Sequence, residues 1–97
     1  MTNKDKELNI LKAYYDMRYN NTKIDVASLN LENTHEGGYH LINLERAGYL
    51  SFEGQVLHKG GRRDEKYNND VLGVLWSNGR ITDRGETRLK EHNLIES

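Results

Sequence analysis

The sequence predicts a single small α+β domain over residues 1–97, in which helices precede a β-hairpin and a further helix follows it. Two segments carry this prediction. Residues 41–50 contain a helical pattern of apolar residues that stops at Gly48 and continues into an apolar strand. Residues 81–89 contain the end of a strand followed by a threonine placed to cap a helix. A basic, glycine-containing stretch between them is typical of a hairpin turn.

The composition favours one globular unit. A chain of 97 residues is too short to divide into domains, and 35% hydrophobic residues with periodic spacing are sufficient for a core. The absence of cysteine excludes disulfides and thiolate metal sites. No apolar run approaches the roughly 18 residues that cross a bilayer, and the first residues lack the apolar stretch of a secretion signal. We therefore expect a cytoplasmic protein without a membrane partner.

The first helix is predicted from Asn3, as its cap, to Tyr19, and the pair Asn20-Asn21 is expected to end it. Asp5 and Glu7 lie near the positive end of its dipole, which favours this start. Its apolar residues recur with helical spacing on one broad face, which we expect to be core. These residues are Leu8, Leu11, Tyr14, Tyr15 and Tyr19.

Two further helices are predicted before the hairpin. Residues 24–29 predict a short strand that leads into a short second helix. The third helix is predicted to begin at Asn33, which has capping-box spacing to Glu36, and to run to Ala47 before Gly48 ends it in a left-handed conformation.

Gly37 and Gly38 are unusual inside the third helix, because each glycine costs about 1 kcal/mol relative to alanine there. Two explanations remain open. Either the helix begins after them, or another part of the chain approaches its first turn closely.

The hairpin is predicted from two strands, Tyr49 to Leu57 and Val71 to Trp76, joined by the polar stretch Lys59 to Lys66. Asn78-Gly79 then predicts a tight turn before the strand region ends at Ile81. Thr82 is expected to cap a last helix that extends to about His92.

The predicted order of elements is that of a winged helix-turn-helix domain: three helices, a β-hairpin wing and a C-terminal helix. The segments Arg46–Leu50 and Thr82–Glu86, together with Leu89-Lys90-Glu91 and the opening Asn3–Lys6, resemble winged-helix proteins of the MarR and PadR type. More narrowly, they resemble the YjcQ family of bacterial and prophage proteins. This resemblance covers nearly the whole chain and implies DNA binding or transcription regulation. The last helix is too short for a MarR-like dimer, so we expect a monomer or a weak dimer.

The sequence does not predict an enzyme or a cofactor. His35 and His40 are five residues apart and diverge by about 140° around a helix, whereas the zinc-protease motif needs a spacing of four. No further ligand clusters nearby, so we expect no metal site. No glycine cluster has the context of a phosphate loop, and no serine lies in a nucleophile elbow.

Residues 58–66 form the one basic patch, whereas the chain as a whole carries a formal net charge of −1. Nucleic-acid binding must therefore depend on this patch and on the third helix. The residues predicted to contact double-stranded DNA are His35, Tyr39, His40, Asn43 and Arg46 in the helix and Lys59, Arg62, Arg63 and Lys66 in the hairpin turn. Two alternatives remain open. The charges can belong to a solvated turn and the helix to the scaffold, or the same surface can bind a protein partner.

Overall fold

A computed structural model describes residues 2–96 of the chain as an α+β arrangement, and the predicted class is confirmed. The α-helices are α1 (Asn3–Asn20), α2 (Thr34–Arg46) and α3 (Asp83–Glu91), and the strands are β1 (Leu50–Phe52), β2 (Leu57–His58), β3 (Gly73–Val74) and β4 (Gly79–Ile81). The predicted second helix is only a 3-10 turn, Val26–Leu29, which ends where Asn30 adopts a left-handed φ of 56°. A second 3-10 turn covers Trp76–Asn78.

The two predicted strands of the hairpin are each interrupted. Strand β1 pairs antiparallel with β4, with Leu50 opposite Ile81, and β2 pairs antiparallel with β3, with Leu57 opposite Val74. Between these two pairs the first arm bends at Gly54, which has a φ of +75°, and irregular hydrogen bonds such as that from the Glu53 amide to the Asn78 carbonyl link the arms. The continuous strands predicted for residues 49–57 and 71–76 are therefore wrong, because the chain bends between two short ladders.

The predicted tight turn at Asn78-Gly79 is also wrong. Asn78 ends a 3-10 turn, and Gly79 has an extended φ of −91° and begins β4. Glycine is favoured at this position by packing, since a Cβ on Gly79 would lie 2.9 Å from ring atoms of Tyr14.

All three α-helices begin at a polar N-cap residue, as predicted, but the N-cap of α1 lies one residue earlier than predicted. Helix α1 is capped by Thr2 instead of Asn3, because the Thr2 hydroxyl accepts a hydrogen bond from the amide of Asp5 at 3.1 Å. Asn33 caps α2 as predicted and accepts from the amide of Glu36 at 3.0 Å. The Glu36 carboxylate does not complete a capping box with Asn33, because it accepts from the amide of Glu32 at 2.7 Å.

Close packing explains the glycines in the first turns of α2, which starts at Thr34 and so contains both of them. A Cβ on Gly38 would lie 2.6 Å from Val71 Cγ2, and one on Gly37 would lie 3.1 Å from the Trp76 ring. The second explanation offered by the sequence is therefore the correct one.

The two segments that predicted the fold contact each other directly. Helix α2 ends in a Schellman motif, in which the Tyr49 amide donates to the Leu44 carbonyl at 2.9 Å and Gly48 has a φ of +82°. The Thr82 hydroxyl accepts from the Gly85 amide at 3.0 Å and donates to the Gly48 carbonyl at 2.6 Å. Thr82 thus starts α3 and ties it to the end of α2.

The core lies between the three α-helices and the β1–β4 pair. Its buried apolar side chains are Leu8, Ile10, Leu11, Tyr14, Leu29, Leu41, Leu44, Leu50, Val56, Ile81 and Leu89. Tyr19 was predicted to be core, but its side chain is 51% exposed and its hydroxyl donates to the Glu86 carboxylate at 2.8 Å. The last turn of α1 extends past the core, which is why helical periodicity alone misplaced Tyr19.

Candidate nucleic-acid interface

The loop between β2 and β3 folds back along helix α2. We call residues 59–69 the basic loop, and the surface it forms with the outward residues of α2 the α2–loop face. The carbonyl of Arg62 lies 2.8 Å from His35 Nε2, and the Asn69 side-chain amide donates to the His35 carbonyl at 3.0 Å. The rings of Tyr39 and Tyr67 lie 5.5 Å apart between centroids. Helix and loop therefore form one continuous surface.

Three of the five predicted cations are free to meet a partner. Arg46 lies in the last turn of α2, and Lys59 and Arg62 lie in the basic loop. All three side chains are exposed. None has an acidic partner in the described part of the chain, so their charges are available to an external anion.

The other two predicted cations of the basic loop already have intramolecular partners. Arg63 donates to the Asn68 carbonyl and side-chain oxygen at 3.3 and 2.5 Å, which braces the loop. The Lys66 ammonium forms a 2.8 Å ion pair with Glu32, and this pairing raises the pKa of Lys66 and lowers that of Glu32. The basic loop thus offers less free positive charge than the sequence suggests.

His40 does not lie on the accessible side of α2, and its predicted contact with DNA is wrong in this structure. Its side chain is fully buried at 0% exposure. Its Nδ1 lies 2.8 Å from Glu7 Oε2, and its Nε2 lies 3.1 Å from Glu36 Oε2. His40 therefore fastens α2 to α1, and the sequence misplaced it because periodicity does not show which polar residues find buried partners.

Glu36 belongs to the same buried group as His40. Its side chain is 1% exposed, and it accepts a hydrogen bond from the Lys6 ammonium at 2.7 Å. Burial by itself would raise its pKa, but the bonds from Lys6, from the Glu32 amide and from His40 outweigh it and lower the pKa of Glu36 to about 2. Its negative charge is neutralised internally, so it does not oppose an approaching phosphate.

Tyr39, Asn43 and Arg46 share a cleft with the basic loop. This cleft has a volume of about 270 Å³. It is lined by Tyr39, Ile42, Asn43, Arg46, Tyr67, Asn68 and Asn69. The Asn43 side-chain amide donates to Glu7 at 3.3 Å. The structure therefore brings Tyr39, Asn43 and Arg46 into one cleft with the basic loop, and it joins His35 to that loop through the Arg62 carbonyl, whereas His40 is buried away from it.

Residues that orient the face were missed from the sequence. Asn69 is 9% exposed, donates to His35 and accepts from the Val71 amide at 3.1 Å, so it fixes the end of the basic loop. Lys6 and Glu7 hold α2 from the side of α1. Both residues lie near the start of α1, but no neighbouring residue in the sequence indicates that their partners lie in α2.

Residues 2–96 contain neither a candidate metal cluster nor a candidate membrane span. No group of three or more His, Cys, Asp or Glu side chains there is arranged to hold a metal ion. Within the same residues, no helix has the length and apolarity needed to cross a membrane.

Comparison of the chain with protein-family models, curated proteins and solved structures finds no significant match. The functional argument therefore depends on the geometry of the α2–loop face.

Proposed function

We propose that this chain is a winged-helix protein that binds double-stranded DNA through the α2–loop face and acts as a transcriptional regulator of bacterial or phage origin. The order of α1, a 3-10 turn, α2, hairpin arms and α3 supports the winged-helix assignment. In such domains the last helix before the hairpin and the hairpin itself meet the duplex. The resemblance to winged-helix proteins of the MarR and PadR type supports the same role.

The observation that carries the proposal is the placement of the three free cations. The basic loop is held against His35 in the first turn of α2, and Arg46 lies in its last turn. These two turns are about 17 Å apart along a helix axis. Arg46 and the pair Lys59 and Arg62 can therefore contact phosphates that flank a groove, and the loop needs no rearrangement to present them.

The remaining residues of the face have positioning or base-contacting roles in this proposal. Tyr39 and Asn43 line the cleft, and in this proposal they would meet the base edges. His35 orients the loop through the Arg62 carbonyl. Because phosphate contacts dominate and carry no sequence information, we expect weak sequence preference.

A protein partner at the same face is the second candidate function. The observation that favours it is the cleft wall formed by Tyr39, Ile42 and Tyr67, since aromatic and aliphatic residues in a concave surface are typical of protein contacts. Such a partner would bind with weaker dependence on salt than a duplex does.

The two candidates separate in a binding experiment with duplex DNA at low salt. The double variant Lys59→Gln/Arg62→Gln should weaken binding of two unrelated duplexes equally, by roughly tenfold for each lost phosphate contact. The matched control is Arg63→Gln/Lys66→Gln, which removes the same charge from the same loop at positions that already have partners. Equal losses from the two double variants would contradict the proposed contacts, and no binding by the wild type would favour the protein partner.

A further inference from the structure

A second concave site lies apart from the α2–loop face and shares no lining residue with it. It is a groove between the end of α1 with the following segment, residues 21–26, and the hairpin arm at residues 74–77. Its volume is about 470 Å³. Its apolar wall consists of Met17, Ile24, Val26, Val74, Leu75 and Trp76. We call it the Trp76 groove.

The walls of the Trp76 groove are held in place without a ligand. On one side, Asn21 adopts a left-handed φ of 51° and its amide donates to the Asp16 carbonyl, which fixes the turn after α1. On the other side, the Leu75 amide donates to the Val56 carbonyl at 2.7 Å. The Tyr14 hydroxyl donates to the Trp76 carbonyl at 2.7 Å. The groove is therefore preformed, as small-molecule sites usually are.

The lining defines the chemistry of the ligand. Val26 and Leu75 remain 40% and 39% exposed, so a bound apolar group would remove apolar surface from water. Lys23 is the one charged residue of the lining, and its ammonium has no acidic partner among residues 2–96. An apolar wall of this size with a single free cation at its rim fits a molecule that has one aliphatic body and one anionic end.

We infer that the Trp76 groove binds an amphiphilic monocarboxylate, with its aliphatic chain along Val26, Leu75 and Trp76 and its carboxylate at Lys23. Trp76 also connects the groove to α2, because its ring lies so close to the helix that a Cβ added to Gly37 would be 3.1 Å from it. The binding itself stands independently of the DNA-binding proposal.

The chain carries its own reporter for this site, because Trp76 is its one tryptophan. Titration with decanoate should change the Trp76 emission and saturate. Leu75→Ser should weaken decanoate binding by about five- to tenfold, since it removes an apolar wall. Leu72→Ser is the matched control, because Leu72 is 65% exposed and does not line the groove. It should bind decanoate like the wild type.

The carboxylate contact is tested separately with Lys23→Gln. This variant should weaken decanoate binding by up to about fivefold, as expected for an exposed ion pair, and should leave the affinity for uncharged decanol unchanged. Isothermal calorimetry checks the affinities independently of fluorescence. Absence of saturable decanoate binding, or equal weakening by Leu72→Ser and Leu75→Ser, would overturn the inference. So would sedimentation data in which Leu75→Ser dissociates a dimer, because a second copy would then occupy the groove.

Discussion

Gly38 illustrates how a single residue sets the position of a helix. Helix α2 approaches the hairpin arm so closely that a methyl group at Gly38 would lie 2.6 Å from Val71 Cγ2. Alanine would be the better helix former by about 1 kcal/mol. The packing of α2 against Val71 must therefore stabilise the fold by more than this difference in helix propensity, because a β-carbon at position 38 would push α2 away from Val71.

We expect Gly38→Ala to destabilise the protein by about 1–3 kcal/mol, since overpacking at a rigid contact costs this much. The matched control is Gly73→Ala, where a new Cβ would meet nothing within 4 Å. That control should be neutral or slightly stabilising. Urea unfolding of both variants measures the difference. A stabilised Gly38→Ala would mean that α2 and Val71 are further apart than described.

Glu36 makes stability depend on pH in the acidic range. Its pKa is lowered from 4.5 to about 2 in the folded state, so its favourable contribution is fully present above about pH 5 and is lost as the pH falls towards 2. A difference of this size corresponds to about 3 kcal/mol. Glu36→Gln should be less stable than the wild type at pH 7, and its stability should fall less steeply between about pH 5 and pH 2. Parallel pH profiles of unfolding free energy for the two proteins would contradict the buried Lys6–Glu36 pair.

Single residues were predictable from the sequence only where the interaction is local. Asn33 as a cap and Gly48 as a left-handed stop follow from neighbours within one helical turn. His40 was misplaced because its partner Glu7 is about thirty residues away in sequence, and the Lys6–Glu36 bond spans a similar distance. A one-dimensional pattern cannot distinguish a polar residue in solvent from one with a distant buried partner.

At the scale of elements, Thr82 joins two helices that are far apart in the chain. Its hydroxyl caps α3 at Gly85 and also donates to the Gly48 carbonyl at the end of α2. A β-carbon on Gly85 would collide with the Tyr49 carbonyl oxygen, so α3 must begin with a glycine in its first turn to fit there. The segment Ile81–Gly85 is therefore both a helix start and a packing surface.

Thr82→Ala should cost about 2 kcal/mol, the upper end of the range for a cap, because it removes one cap and one long-range hydrogen bond. Thr2→Ala is the matched control. Thr2 is exposed and caps only its own helix, so its loss should cost about 0.5–1 kcal/mol. Thermal unfolding monitored by circular dichroism gives both values. Equal costs would indicate that the bond to Gly48 contributes nothing measurable.

Most elements were predictable in kind but not in continuity, and the predicted second helix is only a 3-10 turn. Helix periodicity identified the three α-helices, whereas the predicted hairpin strands are longer than the observed ones. The bend at Gly54 is accompanied by irregular cross-arm hydrogen bonds such as that from the Glu53 amide to the Asn78 carbonyl at 2.8 Å. Such cross-arm bonds are set by three-dimensional register, which apolar runs do not encode.

For the molecule as a whole, stability depends on a small core shared by all three α-helices. Leu44 is 2% exposed and lies where α2 meets α1 and the β1–β4 pair. A domain of this size has a total stability of only about 5–15 kcal/mol. Loss of one such side chain is therefore a large fraction of the whole.

Leu44→Ala should reduce the free energy of unfolding by about 2–5 kcal/mol through lost burial and a residual cavity. Leu94→Ala provides the control, because Leu94 is 38% exposed and lies outside the core. It should cost less than about 1 kcal/mol. Chemical denaturation measures both variants. A small effect at Leu44 would contradict the described register of α2.

The candidate site was only partly predictable from the sequence at this scale. The local basic excess identified the loop, but the sequence did not indicate that the loop folds onto α2 through His35, Asn69 and Tyr67. It also could not show that Arg63 and Lys66 are engaged while Arg62 is free. The partner of Lys66 is Glu32, which lies in a distant segment, and the Arg63 contact with Asn68 depends on how the loop itself is folded.

The salt dependence of duplex DNA binding tests the proposed α2–loop interface most directly. Three phosphate contacts, by Arg46, Lys59 and Arg62, predict a slope of log affinity against log salt of about −3. The triple variant Arg46→Gln/Lys59→Gln/Arg62→Gln should lose most of this salt dependence. The control Lys4→Gln/Lys23→Gln/Lys90→Gln removes the same charge from exposed lysines elsewhere and should keep it. A flat wild-type slope, or the same change in both triple variants, would contradict the interface.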